Sequence, residues 1–544
     1  SYGVNYSLGG LDPMGYHLLN GLLHAANAVW VLLLAWGLGL GRSPSFAAAL
    51  LFAVHPLNSE VVHYASSRSE ALMAFFFLAA CWAYLRHGAS GRWNWYGLAL
   101  CCGGLAMLSK SVAVVLGAVL VLCDWLVGRD LRKYWPRYLP FAVLALCYAL
   151  FSRALVGKAL LAPVRPLDVQ VWTQIKGALY YALIGVMPFK LSVEHQFYPS
   201  SSLGEPAVVG AGLLLLSLGW LLWRSGWRIP IFASGWATVL LGPTFVVPLI
   251  VLVNEHRLYL SMAGWCLLVA WLFEQLAVRG SRVALCGLAT YTILLAIFTL
   301  ERGWAWSDEL ALWSDAAAKA PGMLKPHLRL GDALKKRGRL AEAEATYLRA
   351  LALRPYHPAT RNNLGVLYKQ QGRLAAAETQ FRTLLAASPD IVHARLNLAE
   401  LVLRQGLWRE AETECLQALE FADTGGEAQK MLALIALHYR SDPEQALTYS
   451  EVGLALAPDA AAWTTRGVAL KALDRGREAE ISYRRALEFE PGAIDTWYNL
   501  GNLYREMGQV DQALSAYAKV VALGRDTSLG TRAKKQIAEL NTTR

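Results

Sequence analysis

HPLNSEVVHYASSRSE, His55–Glu70, is a polar stretch set between two apolar segments, Ser45–Val54 and Ala71–Tyr84. It carries His55, Glu60, His63, Arg68 and Glu70. Ionisable groups beside hydrocarbon are costly, so they are kept where a site needs them. A second such stretch is NEHRLYL, Asn254–Leu260, which follows an apolar run ending at Val253 and leads into another from Leu260 to Ala277. Any one of these side chains could simply meet lipid headgroups, because short polar loops between membrane helices are ordinary. Two loops that each hold a carboxylate and a cation point instead to one polar cavity at the membrane surface.

The rest of the composition agrees with a membrane setting. The chain has 544 residues, 55% hydrophobic and 17% charged, with 20 Trp, which is too apolar for an ordinary soluble protein. That average hides a break near Gly303. Before it lie long apolar runs; after it Lys, Arg, Glu and Asp recur every few residues. A spanning helix needs about twenty apolar residues, and the first part holds about ten to eleven candidate runs, from Tyr16–Leu40 to Val283–Leu300. Backbone in lipid must satisfy its own hydrogen bonds, so helices fit and open sheet does not. The predicted organisation is a transmembrane domain over 1–303, a junction helix over 304–325 and a repeat domain over 326–544.

Much of the net charge of +11 sits in short loops, where Lys and Arg orient helices. No basic block with interleaved aromatics occurs, which argues against nucleic acid. Arg42, Arg86 with Arg92, and Arg129 with Arg132 and Lys133 place one set of loops in the cytoplasm. Arg224 with Arg228, and Arg279 with Arg282, would fall on the opposite side by simple alternation. The parity therefore breaks between Leu155 and Ala207, where Trp172–Met187 is expected not to span cleanly. With that repair His55–Glu70, Lys110, Glu194–His195, Glu255–Arg257 and the repeat domain all lie outside. Lys110 could equally snorkel to headgroups, and Asp124 reads as a partner of the adjacent basic loop. The eight Cys make no CxxC pair and act as small apolar residues; neither a metal nor a cofactor is expected.

The second part repeats. Gly331, Gly365 and Ala399 recur every 34 residues, as do Gly338, Gly372 and Gly406, and Gly467 with Gly501. A unit reads NNLGVLYKQQGRLAAAETQFRTLLAASP, residues 362–389. This is the tetratricopeptide pattern of paired antiparallel helices, with small residues at the crossing and an aromatic between. About six units and a capping helix are predicted, stacked into a superhelix whose groove could bind extended peptide.

Several stretches together resemble a known family: NYSLGGLDPMGYHLLNGLLHAANA, HPLNSEVVHYASSRSEALMAFFF, LSKSVAVVLGAVLVLCDWL, PFKLSVEHQFYP, NEHRLYLSMAG and ERGWAWSDELALWSDAAAKAP. The resemblance is to the transmembrane and tetratricopeptide-repeat (TMTC-like) protein O-mannosyltransferases. It implies an all-α chain: a polytopic membrane helix bundle of the class C glycosyltransferase kind, followed by a tetratricopeptide-repeat superhelix. It implies transfer of a mannose-like hexose from a polyprenyl-phosphate donor to a protein Ser or Thr hydroxyl on the outer face, in a multi-pass protein of a bacterial inner membrane. On this reading Arg257 and Lys110 contact the donor phosphate, and His55, Glu60, Arg68, Glu255, His256, Tyr259, Glu194 and His195 line the pocket. The family's catalytic acid lies in the first outside loop. The chain starts SYGVNYSLGG, without Met, and is expected to be cut from a longer protein after that loop. Asp12 is not given the role, and no catalytic residue is assigned. Ser111 stands where the family often has an acid after Ser-Lys. The alternatives are a non-enzymatic membrane-anchored repeat scaffold for envelope or secretion complexes, and a lipid-linked sugar transporter or ligase with another acceptor.

Overall fold

The computed structural model describes residues 2–10, 12–153, 164–248, 250–278, 282–421 and 426–542. Among these residues every regular element is helical and no strand occurs. The chain divides into two compact units, Ser1–Ala333 and Leu334–Arg544.

Among the described residues of the first unit six helices are long and apolar enough to cross a membrane: Pro13–Gly37, Ala65–Ser90, Pro206–Ser225, Arg228–Val246, Ser261–Val278 and Arg282–Ala305. Arg42–Val54 and Pro56–His63 would make a seventh if taken as one span bent by 50°. The bend follows from Pro56, which cannot donate into the helix behind it, so His55 turns to extended backbone at ψ 124°. Other apolar runs form shorter helices, among them Trp93–Ser109 and Leu139–Phe151. Leu167–Val186 is a 20-residue helix that is not among the span candidates. Arg279 and the end of the predicted run at Leu155 lie outside the described residues.

One apolar core runs through this bundle, built on Val31, Phe52, Phe77, Tyr84, Leu116 and Trp236. At one end Asp124 is fully buried; it accepts from Tyr84 Oη at 2.6 Å, Tyr138 Oη at 2.8 Å and Arg129 Nη1 at 2.6 Å. The acid thus joins the basic loop to two helices, as its place in CDWLVGRDLRK leads one to expect. The polar loops of the candidate site lie elsewhere on the bundle.

The second unit is a run of helix pairs: Pro358–Gln370 with Leu374–Ala387, Val392–Arg404 with Trp408–Phe421, Glu427–His438 with Pro443–Leu456, Ala460–Ala472 with Gly476–Phe489, and Ile494–Glu506 with Val510–Leu523. Leu340–Leu353 precedes them and Ser528–Thr542 follows. Of the recurrent glycines, Gly338, Gly372 and Gly406 turn the chain at positive φ, whereas Gly365, Gly467 and Gly501 sit where helices touch. A Cβ on Gly365 would lie 2.5 Å from the Phe381 ring, on Gly467 2.5 Å from Tyr483, and on Gly501 2.7 Å from Tyr517. Ala399 holds the same repeat position, and there Cys415 replaces the aromatic ring; both are fully buried.

Candidate functional site

The two polar loops meet through Glu60. This residue lies in the short helix Ser59–His63 that follows the Pro56 turn. Its Oε1 is 2.9 Å from His256 Nδ1, and its Oε2 accepts the His256 backbone N–H at 3.1 Å. The other ring nitrogen, Nε2, is 3.9 Å from Glu70 Oε1. Glu70 in turn forms an ion pair with Lys110. Both carboxylates are almost wholly buried, whereas 30% of the Lys110 side chain and 21% of His256 remain exposed. Lys110 therefore meets a protein carboxylate. It can do so because Trp93–Ser109 ends there, and extended backbone at Lys110 (ψ 140°) re-aims its side chain.

A second cluster forms around Glu255, whose side chain has no exposure. Its Oε1 accepts the Ser192 backbone N–H at 2.6 Å and lies 3.3 Å from His195 Nε2. Its Oε2 is 3.5 Å from Arg302 Nη2. His195 Nδ1 accepts from Tyr180 Oη at 2.9 Å if Nε2 keeps the proton facing Glu255, the tautomer these partners favour. Burial pushes the Glu255 carboxyl up. The Arg302 guanidinium, His195 and the Ser192 N–H outweigh it, so the group stays below the ordinary range.

Arg257 follows directly. Its guanidinium donates to the Val251 carbonyl at 2.8 Å and the Leu252 carbonyl at 3.1 Å. Arg165 donates to the next carbonyl back, Ile250, at 3.3 Å, and to Gln170 Oε1 at 2.5 Å. Burial, and after it the nearby charge of Arg257, lowers the Arg165 pKa. Two guanidiniums are thus held beside one another on consecutive carbonyls. Asn254, which caps the turn through His256 N–H, has its own N–H on Tyr181 Oη at 3.0 Å.

The remaining predicted residues are engaged in holding these loops. His55 is buried; it accepts the Leu57 N–H at Nδ1 and donates from Nε2 to the Gly185 carbonyl at 3.1 Å. Arg68, also buried, donates to Asn20 Oδ1 at 2.9 Å, Asn5 Oδ1 at 2.6 Å and the Tyr16 carbonyl at 3.2 Å. Tyr259 Oη lies 2.8 Å from His24 Nδ1 and accepts from Asn27 Nδ2 at 3.0 Å. These three tie the polar stretches to neighbouring helices, Leu167–Val186 for His55 and Pro13–Gly37 for Arg68 and Tyr259. Glu194 pairs with Lys325 at 2.7 Å. Arg302, Asp315, Arg165 and Tyr180 belong to the site but were not legible as such. Arg165 and Arg302 sit near the ends of apolar runs, where a cation reads as an interfacial residue; Tyr180 lies within the apolar helix Leu167–Val186 and Asp315 within Glu309–Lys319, and neither carries a local signal.

A polytopic membrane protein carrying tetratricopeptide repeats is the class these features define, with its buried acids and cations gathered between loops of the bundle. Comparison with known proteins agrees. The dolichyl-phosphate-mannose-protein mannosyltransferase family matches residues 17–156, and tetratricopeptide-repeat families match 323–390, 362–427 and 494–526. A protein O-mannosyl-transferase of Caenorhabditis elegans, F38B6.6, is 26% identical over 65% of this chain and 53% of its own length. Drosophila melanogaster Tmtc3 is 27% identical over 67% of this chain and 49% of its own. Human TMTC3 is 24% identical over 94% of this chain and 59% of its own. The chain spans about half the length of these curated relatives. Membrane part and repeats match in the same order, so the chain is similar to these protein O-mannosyl-transferases in both parts.

Proposed function

We propose that the chain acts as a membrane glycosyltransferase. It moves a mannose-like hexose from a polyprenyl-phosphate donor to a protein hydroxyl on the extracytoplasmic face, and the repeats bind the acceptor. The observation that carries this reading is the Glu60–His256 contact, which fastens Arg257 to the same cluster as Lys110 through Glu70. Family relatives named O-mannosyltransferases support the reaction class.

The chemistry asks little covalent work of these residues. An acceptor hydroxyl attacks the anomeric carbon, the C1–O bond to phosphate breaks, and a base takes the hydroxyl proton. Cations that hold the departing phosphate stabilise charge as it develops. Arg257 and Lys110 have that role here, and a guanidinium suits it because its fork can reach two phosphate oxygens. Glu60, Glu70 and Glu255 orient the cations. No base is assigned among the described residues.

Transfer from a labelled polyprenyl-phosphate mannose is the test, with Arg257→Lys beside Arg257→Ala. The alanine variant also strips two backbone carbonyls of their donor, whereas lysine keeps the charge. Transfer is expected to fall about a hundredfold or more in Arg257→Ala and to be partly kept in Arg257→Lys, at equal expression. Equal transfer in wild type and Arg257→Ala would overturn the assignment.

A further inference from the structure

We propose that Arg302 is a positioning residue for the candidate site: with Asp315 and Lys319 it closes a ring that fixes Leu191–Ser192 against Glu255, and so sets where His256 and Arg257 stand. The inference rests on the glycosyltransferase reading only for its catalytic consequence, since the ring itself is geometry.

The ring can be followed atom by atom. Arg302 Nη2 faces Glu255 Oε2 at 3.5 Å, and Nη1 donates to Asp315 Oδ2 at 3.0 Å. The other oxygen of Asp315 takes Lys319 Nζ at 2.7 Å, and Lys319 donates onward to the Leu191 carbonyl at 2.9 Å. The next residue, Ser192, returns its N–H to Glu255 Oε1 at 2.6 Å. Helix end, junction helix, loop and site are joined in one circuit. Three further contacts brace the same loop. Lys325 pairs with Glu194, Gly322 N–H donates to Gln196 Oε1 at 3.2 Å, and Tyr198 Oη donates to the Gly322 carbonyl at 3.2 Å. A Cβ on Gly322 would lie 2.4 Å from Tyr198 Oη, so a larger residue there would move this half-exposed tyrosine off its contact.

Two features mark the ring as more than packing. Its centre is expensive. Arg302 Nε and Nη2, Glu255 Oε2 and His195 Nε2 are buried without a hydrogen-bond partner, although the charges lie within ion-pair reach. Such groups normally cost stability unless a task retains them. The ring also reaches the site by the shortest covalent route, because Glu255 immediately precedes His256 and Arg257. The residues that brace it, 315–325, immediately precede the repeats in sequence.

Hydrogen exchange and transfer kinetics on the full chain in detergent test this with Arg302→Gln, Arg302→Lys and Lys319→Met. In Arg302→Gln, exchange at the Ser192 and His256 amides should speed up about tenfold or more, while the Arg129 amide, bonded to Asp124 at the far cluster, changes less than about twofold. Lysine should restore part of the protection. Lys319→Met alters only a third-exposed side chain, and it should loosen Ser192 even if Arg302→Gln folds poorly. The donor KM should rise several-fold more than kcat falls, because Arg257 is displaced and not removed. Unchanged Ser192 and His256 exchange, or an equal rise at Arg129, overturns the proposal. If exchange responds but wild type does not bind polyprenyl-phosphate mannose, the ring stands and the glycosyltransferase reading falls.

Discussion

Glu60 grips His256 twice, once through the imidazole at 2.9 Å and once through the backbone N–H at 3.1 Å. A glutamine can accept only one of these, and its NH2 then faces a donor. Removing one partner of a nearly buried, hydrogen-bonded pair costs about 1–3 kcal/mol. Glu60→Gln and His256→Gln should each lower the melting temperature in detergent. The double variant should lose less than the sum, with a coupling energy of about 1–2 kcal/mol. Strict additivity would mean that the two loops are not joined there.

Acid should loosen the same region through Glu255. Arg302, His195 and the Ser192 N–H hold its folded pKa below the unfolded value despite burial. A depressed carboxylate contributes stability that is present above its unfolded pKa, about 4.3, and is lost as pH falls toward the folded value. Wild type should therefore melt above Glu255→Gln at neutral pH. The gap should narrow below about pH 4, where the unfolded chain's carboxyl takes its proton while the folded one is still ionised. A gap that stays constant from neutral pH down to about 3 would show that charge on Glu255 is not what counts.

These two cases also show how much of the molecule could be read in advance. The membrane helices were legible as apolar runs near the length a span needs, and the repeats by their 34-residue spacing. The union of the His55–Glu70 and Asn254–Leu260 loops was legible because charges in hydrocarbon need company. Partners were not. Nothing local says that Glu60 takes His256 and Lys110 takes Glu70, since register between distant loops is set by how helices pack. His55, Arg68 and Tyr259 looked like lining because polar residues in a greasy chain attract attention. Their hydrogen bonds to Gly185, Asn20 and Asn27 join segments distant in sequence, which no local signal gives. Arg302 and Arg165 went unread because an arginine at the end of an apolar run looks like a headgroup anchor.

Asp124 offers a control at the far cluster. With three donors on a buried carboxylate, Asp124→Asn leaves Arg129 without its counter-charge and turns an NH2 either to Arg129 or to the two tyrosine hydroxyls, which share Oδ2. A loss of about 3 kcal/mol or more is expected. Protection of the Arg129 amide should fall, while exchange at Ser192 and His256 stays near wild type. Transfer per folded molecule should be unchanged, measured against binding-competent protein after gel filtration. A fall in that specific transfer would tie the far cluster to the site.

The repeats supply a test of packing that uses the chain's own variation. Gly365→Ala places a methyl 2.5 Å from the Phe381 ring, a collision that close-packed helices relieve only by shifting. Overpacking of this kind costs about 1–3 kcal/mol. At the next repeat the chain already carries alanine, Ala399, with Cys415 in the ring's place, and both are buried. Gly365→Ala should therefore raise hydrogen exchange in Pro358–Gln370 and Leu374–Ala387. Adding Phe381→Cys should bring exchange back toward wild type, although the cysteine variant alone leaves a cavity and is itself destabilising. Such reversal is non-additivity between touching residues. If the double variant is looser than either single one, the small residue is not there to admit the ring, and the 34-residue glycine spacing needs another cause.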